Sequence, residues 1–192
     1  IGADSMETNT LGNDNTGVGY KTISCNTIGN FNIAVGSKAL LSNISGNDNI
    51  GIGYKSSLLN ISGGNNIGIG TSALENNNAG SNNIGIGNNS LKEGKVIYNN
   101  TSIGVDSLRY NNCNENVSIG YQSLYSNTSN NTIAVGFQSL KTNSGGSNTA
   151  IGYQSLYSNS GSMNTSIGYQ SLFNNTTGSC SIAMGYQPLY NN

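Results

Sequence analysis

The acidic side chains are the residues that could do acid–base chemistry in this chain, because its 192 residues include no His. An enzyme that cleaves polysaccharides needs two carboxyl groups roughly 5–9.5 Å apart. The closest pair in one column of the repeat described below is Asp14 and Asp48, two coils and so about 9–10 Å apart. This separation is at the far limit, so the sequence predicts no catalytic residue and no enzyme. The carboxylates are Asp4, Glu7, Asp14, Asp48, Glu75, Glu93, Asp106 and Glu115.

Metal and redox chemistry also lack suitable groups. Calcium-binding repeats follow Gly-Gly-x-Gly-x-Asp, and neither Gly-Gly pair of this chain continues in that way. Cys25, Cys113 and Cys180 are separated by four or five coils, roughly 19–24 Å, whereas a disulfide needs Cα atoms within about 7 Å. We therefore expect no metal, no cofactor and three free thiols, which favours assembly in a reducing compartment.

Aromatic and amide side chains recur late in the chain and could bind a carbohydrate, because a ring presents an apolar face beside a polar group. The alternative is a ladder of rings that pack on one another and help to seal an interface between chains. Earlier in the chain the amide position carries Lys21, Lys38 and Lys55. The candidate glycan-binding residues are Tyr121, Gln122, Tyr153, Gln154, Tyr169, Gln170 and Tyr186.

The composition excludes other classes of function. The chain is 34% hydrophobic and 8% charged, against about 45–50% and 25% in ordinary domains, and its 36 Asn and 27 Gly fill the difference. A net charge of −1 with seven Lys and Arg gives no electrostatic footprint for nucleic acid. No run of about 18 apolar residues predicts a membrane span, and no signal peptide is visible.

An internal repeat organises the whole chain as one domain, residues 1–192. An Ile-Gly or Val-Gly pair, once Met-Gly, recurs every 16 or 17 residues and defines about twelve coils, each numbered here from its Gly as position 0. Because the chain starts and ends inside the repeat without a polar cap, we expect a fragment of a longer fibre. The glycines are Gly2, Gly19, Gly36, Gly53, Gly70, Gly87, Gly104, Gly120, Gly136, Gly152, Gly168 and Gly185.

The columns of the repeat predict a parallel β-solenoid. Large residues at −3 and −1 around a small one at −2 alternate with the period of a β-strand, and +4 is mostly Leu. A unit of 16 or 17 residues has no room for a strand and a helix, so each unit is one coil and identical columns stack. We expect −3, −1 and +4 to form the core, and Gly at 0 and Asn at +7 to adopt positive φ at the corners.

Asn is enriched at −4 and +7, which predicts hydrogen-bonded Asn ladders, since an amide carries both donors and an acceptor and coils stack about 4.8 Å apart. The alternative is that Asn is simply common in turns. The predicted −4 ladder comprises Asn15, Asn32, Asn49, Asn66, Asn83, Asn100, Asn116, Asn148 and Asn164.

The small −2 residues alternate with −3 and −1, so we expect them on the outer face of the strand. A small-residue face permits close approach of another backbone, which favours an oligomer; the alternative is a solvent-exposed face. The predicted trimer interface is Gly17, Ala34, Gly51, Gly68, Gly85, Ser102, Ser118, Ala134, Ala150, Ser166 and Ala183.

The segment Asn148-Thr149-Ala150-Ile151-Gly152-Tyr153-Gln154-Ser155-Leu156-Tyr157-Ser158-Asn159 resembles the head repeat of trimeric autotransporter adhesins of the YadA type. It resembles still more the longer variant in fibres of phages and large DNA viruses. The resemblance extends over the whole chain and implies a left-handed parallel β-roll, a homotrimer, and exposure on a virion or cell surface. The longer unit favours a viral or phage fibre over a bacterial adhesin.

Four functions remain as hypotheses. The first is a structural segment of a trimeric surface fibre that acts as a scaffold for attachment. The second is a receptor-binding or glycan-binding adhesin head that uses the Tyr/Gln residues. An ice-binding solenoid would need a regular outward Thr column, and a polysaccharide-cleaving spike would need the missing carboxylate pair, so both are disfavoured.

Overall fold

A computed structural model, which describes residues 1–192, confirms the parallel β-solenoid. Three-residue strands at −3 to −1 stack into one 11-stranded sheet. The first Gly has no strand because only Ile1 precedes it. These strands are β1 (Thr16–Val18), β2 (Ile33–Val35), β3 (Ile50–Ile52), β4 (Ile67–Ile69), β5 (Ile84–Ile86), β6 (Thr101–Ile103), β8 (Val117–Ile119), β10 (Ile133–Val135), β12 (Thr149–Ile151), β14 (Thr165–Ile167) and β16 (Ile182–Met184).

A second, five-stranded sheet is built from positions +6 and +7 of the later coils. Every strand pair in both sheets is parallel and joins identical columns, as in Gly51↔Gly68 and Asn143↔Asn159. The chain forms no helix, and so none that could cross a membrane. The strands of the second sheet are β7 (Tyr110–Asn111), β9 (Ser126–Asn127), β11 (Thr142–Asn143), β13 (Ser158–Asn159) and β15 (Asn174–Asn175).

The Gly at position 0 makes one corner of each coil. Its φ lies between 120° and 136° throughout, a conformation that residues with a Cβ rarely adopt. A Cβ at Gly136 would also lie 2.3 Å from the carbonyl oxygen of Gly152 in the next coil. Glycine is therefore required both by the turn and by the close stacking of the corners.

The prediction of positive φ at +7 is wrong. The other left-handed residues are at +2, +4 and −5, for example Lys38 (φ 61°), Leu40 (φ 49°) and Asp48 (φ 57°). The +7 Asn instead points inward, where its amide is buried. Leu in the left-handed region costs roughly 1–2 kcal/mol, so stacking must stabilise each coil by more than this strain.

The predicted orientation of the strands is also wrong. The −2 residues are buried inside the coil, while −3 and −1 point outward, so the burial of β2 runs exposed, buried, exposed. The following residues, assigned above to a trimer interface, therefore line the interior: Gly17, Ala34, Gly51, Gly68, Gly85, Ser102, Ser118, Ala134, Ala150, Ser166 and Ala183.

The thinness of the coil explains this orientation. The Leu side chains at +4 fill the interior and are fully buried, as in Leu40 and Leu74. A Cβ built on Gly51 would lie 3.1 Å from Leu40 Cγ, and one on Gly85 would lie 3.1 Å from Leu74 Cγ. Only a small residue fits opposite Leu, so the β-branched residues at −3 and −1 must face outward.

Asn side chains form hydrogen-bonded ladders in both columns. The −4 ladder runs from Asn15 to Asn116 and stops at Thr132, beyond which Asn148 and Asn164 donate to backbone carbonyls. At −4, Asn66 Nδ2 donates to Asn49 Oδ1 at 3.1 Å and to the Gly80 carbonyl at 2.8 Å. At +7, Asn143 Nδ2 donates to Asn127 Oδ1 at 2.9 Å. These amides are buried with their partners, which is the condition under which buried polar groups are tolerated.

Two positions interrupt the interior of the earlier coils. Ser57 stands in the Leu column, where its Oγ is buried without a hydrogen-bond partner, and the apolar core divides there into two clusters. Gly94 replaces Asn at +7, and the buried Ile97, three residues later, replaces the usual Gly. A Cβ on Gly94 would lie 2.7 Å from Ile97 Cδ1, so the two exchanges compensate each other in volume.

Candidate assembly interface

The outward columns of the large sheet form a continuous apolar face, hereafter the sheet face. It consists of the −3 and −1 residues of eleven strands, all of them Ile, Val, Thr or Met. Several of these side chains keep more than a third of their surface in solvent, as Val35 (37% exposed), Ile103 (38%) and Ile151 (40%) do. Those of β4 and β5 are half-buried. The sheet face therefore carries no charge and no partner within the chain.

The sheet face is comparable in area with the largest apolar patch on a typical single chain. Eleven strands at about 4.8 Å spacing give a length of about 50 Å, and its two columns lie about 7 Å apart along each strand. With side chains about 10 Å wide in all, its area is on the order of 500 Å². The largest apolar patch on a typical monomer is about 300–600 Å² and often marks an interface. Its regular, flat shape can match another surface along its whole length.

Alternation alone does not reveal the sheet face, because it fits two orientations of the strand equally well. The signal that could have identified it is the size of the −2 residue opposite the Leu column. A coil with Leu on one wall leaves space for Gly, Ala or Ser on the other, but not for Ile.

The late aromatic residues at +1 stack as a ladder. Ring centroids are 5.1 Å apart between Phe137 and Tyr153, and again between Tyr153 and Tyr169, with planes inclined by 5° and 6°. A second ladder joins Phe173 to Tyr157 and Tyr190 at +5. Because the rings cover one another's faces, only their edges and hydroxyl groups are open to a ligand such as a sugar.

The Gln residues beside these rings are also bonded to one another. Gln154 Nε2 donates to Gln138 Oε1 at 2.9 Å, and Gln170 Nε2 donates to Gln154 Oε1 at 2.8 Å. Gln187 and Gln138 make the same bond to the preceding Gln at 2.9 and 3.0 Å. The candidate glycan residues Tyr121, Gln122, Tyr153, Gln154, Tyr169, Gln170 and Tyr186 thus lie together on one surface, with ring faces and part of each amide already engaged.

The acidic residues do not converge. Asp14 and Asp48 are both exposed, and the exposed Phe31 occupies the same column between them. Glu75 forms an ion pair with Lys92 at 3.5 Å, and the other ion pair joins Arg109 and Asp106 at 2.9 Å. No three His, Cys, Asp or Glu side chains cluster in a manner that could hold a metal ion.

The cysteines and the glycosylation sequons differ in exposure: Cys25 and Cys180 are exposed and Cys113 is half-buried. All three thiols are free, and burial raises the pKa of Cys113 above its ordinary value. The amides of five Asn-x-Ser/Thr sequons are at most 1% exposed, so a folded chain hides them from modification. These are Asn43, Asn60, Asn116, Asn127 and Asn164.

No protein-family model, curated protein or solved structure matches this chain. The geometry of the solenoid and the resemblance of its repeat are therefore the indications of its function.

Proposed function

We propose that this chain is a structural segment of a homotrimeric fibre on a virion or cell surface, with a non-catalytic role as a scaffold for attachment. The observation that carries this proposal is the uncharged aliphatic sheet face, which is left open by a single chain. Burial of such a surface is the main favourable term in protein association.

The occupant that fits the sheet face is a second copy of this chain. Its rows of Ile and Val repeat at the strand spacing, about 4.8 Å, so a partner makes regular contacts over the full length only if it has the same axial repeat. The absence of charge from the face also permits identical faces to meet without repulsion.

The area supports the same conclusion. A stable interface buries about 800 Å² on each partner, which exceeds the sheet face alone. The +1 column lies across the Gly corner from it, and its rings are 41–44% exposed at Phe137, Tyr153 and Tyr121. The sheet face together with the later rings of this column, from Tyr121 onward, offers a larger apolar surface than the sheet face alone. The number of three chains follows the resemblance to trimeric adhesin heads and viral fibres.

Light scattering after size exclusion tests the proposal. We expect the mass of three chains for the natural sequence. Ile52→Lys with Ile119→Lys places two charges on the sheet face and should give folded single chains, as judged by circular dichroism. Leu59→Lys with Val96→Lys is the matched control, because these side chains are 42% and 50% exposed outside the sheet face, and it should stay trimeric.

Two outcomes contradict the proposal. A natural sequence that remains a single chain at high concentration would show that the sheet face has no copy of the chain as its partner. Equal dissociation of the control variant would show that assembly uses another surface.

A further inference from the structure

The +2 column of the early coils carries three lysines in register. Lys21, Lys38 and Lys55 belong to consecutive coils and share a left-handed backbone, with φ between 53° and 61°. Lys38 N donates to the carbonyl of Tyr20 at 2.8 Å, and Lys55 N donates to that of Ser37 at 3.1 Å. Their side chains therefore start from one edge of the solenoid with about 4.8 Å between neighbours.

This lysine column departs from the chemistry of the other columns. Asn, Gln, Leu and the aromatic rings all gain a favourable contact when an identical side chain stacks above them. Stacked ammonium groups instead repel each other. Neither ion pair of the chain includes any of the three lysines. Asp4 precedes them in the column and Ser72 follows, and the acidic neighbours Asp4 and Glu7 both lie at the Lys21 end.

The same chain also carries an uncharged residue at this position, which avoids the repulsion between the lysine ammonium groups. At the same position the later coils carry Gln, whose amides bond from coil to coil at 2.8–3.0 Å. A local choice that opposes the rest of the design is expected where function requires it. A ligand with several negative charges along this edge of the solenoid would remove the repulsion between the three ammonium groups.

Two tyrosines flank the lysine column and narrow the class of ligand. Lys21 Nζ lies 5.4 Å from the ring centroid of Tyr20, and Lys55 Nζ lies 5.3 Å from that of Tyr54. These cation–π contacts hold the ammonium groups near the rings. One face of each ring is thereby engaged, and Ser37 separates the two rings in their column, so they form no continuous stacking platform of the kind that single-stranded nucleic acids use.

We propose that Lys21, Lys38 and Lys55 form a binding strip for a sulfated polysaccharide that runs parallel to the solenoid axis. The strip extends over two strand spacings, about 10 Å, which suits a short sulfated stretch of a glycan. The chain's net charge of −1 limits the attraction to this edge, because no broad positive field surrounds it. The proposal goes beyond the scaffold role of the chain.

Binding of heparin to the full chain, measured by titration calorimetry at low salt, tests this strip. The triple variant Lys21→Gln, Lys38→Gln, Lys55→Gln introduces the residue that this position carries in the later coils, so it should fold. We expect it to bind heparin at least tenfold more weakly. The matched control is Lys92→Gln, Lys95→Gln, Lys141→Gln, which removes the same charge elsewhere and should stay within about twofold of the natural chain.

The remaining measurements separate the ligand classes. Heparin should raise the melting temperature of the natural chain and not that of the column variant, and unsulfated dextran should not bind. Equal weakening in both triple variants would overturn the strip in favour of general charge attraction. Single-stranded DNA that binds as tightly as heparin would overturn the polysaccharide assignment, and no heparin binding at low salt would overturn the proposal itself.

Discussion

The coils fall into two regions that differ in length. The first region comprises the coils that begin at Gly2 to Gly87, and the second comprises those that begin at Gly104 to Gly168, most of which are one residue shorter. In the first region the +7 amide reaches a carbonyl three residues ahead, as from Asn43 to Gly46 at 3.0 Å. In the second it reaches one two residues ahead, as from Asn143 to Gly145 at 2.9 Å. Four of the five strands of the second sheet lie in the 16-residue coils, and β15 lies in the 17-residue coil that begins at Gly168.

The two regions also differ in the continuity of their ladders. The Leu column of the second region runs without a break from Leu108 to Leu172, whereas Ser57 interrupts that of the first. All stacked aromatic pairs and the whole Gln ladder lie in coils from Gly120 onward. The Leu, aromatic and Gln columns are thus more continuous in the second region, although the −4 Asn column is interrupted there at Thr132. We expect the second region to unfold last.

Gly136→Ala is the change with the largest expected effect. Its Cβ would lie 2.3 Å from the Gly152 carbonyl, and we expect a loss of at least about 4 kcal/mol from overpacking and backbone strain together. Urea denaturation followed by circular dichroism measures it. Hydrogen exchange should show the disturbance among the second region's coils and little change in the first.

Gly185→Ala provides the control for that experiment. Its φ of 122° is similar, but a Cβ there would meet no atom within 4 Å. We expect only the strain, about 1–3 kcal/mol. An equal loss in the two variants would mean that contact between the corners contributes nothing.

A comparison of Asn143→Ala with Asn60→Ala measures how much an unbroken Asn ladder contributes to the free energy of unfolding. Asn143 donates to Asn127 and accepts from Asn159 at 2.8 Å. Its removal leaves buried polar groups without partners on both sides, so we expect the free energy of unfolding to fall by about 2–3 kcal/mol. Asn60 donates to Asn43 at 2.8 Å, but its Oδ1 has no partner. We expect its loss to be smaller by about 1 kcal/mol, and a larger loss at Asn60 in urea denaturation would contradict this.

Ser57→Leu should make the first region resemble the second. The position already has the φ of the Leu column, 50° against 49° at Leu40, and faces Gly68 as Leu40 faces Gly51. Burying the added side chain should stabilise the chain by about 1.5 kcal/mol, measured as a raised urea midpoint. Ser57→Ala, which removes the unpartnered hydroxyl without filling the space, should gain less. A loss in the Leu variant would show that the interior cannot expand here.

The sequence predicts the solenoid because each element of it depends on spacing and residue type alone. Gly at position 0 indicates a corner, because the turn itself needs a residue without a Cβ. The recurrence of Leu at +4 indicates an interior column, because a large apolar residue at one position of successive coils is buried by stacking. The amide columns at −4 and +7 follow in the same way from the chemistry of Asn.

The orientation of the strands could not be predicted from their alternation. Ala34 between Ile33 and Val35 fits an inward or an outward −2 equally well, and the choice depends on the distance between opposite walls. Because the distance between the walls is short, the −2 residues face inward. The expected interface therefore lies on the Ile and Val side chains at −3 and −1 instead of the −2 column. The lysine column was visible in the sequence, but that none of its lysines belongs to an ion pair required the coordinates.

The backbone hydrogen bonds between coils run along the long axis of the solenoid, as from Ile67 N to the Asn83 carbonyl at 2.8 Å. A pull along that axis loads all the bonds of one coil boundary at the same moment, while a force across an end detaches them one after another. The molecule is thus mechanically strong in tension and weak against peeling. A fibre built from it would resist drag along its length and would fail first at an unprotected tip.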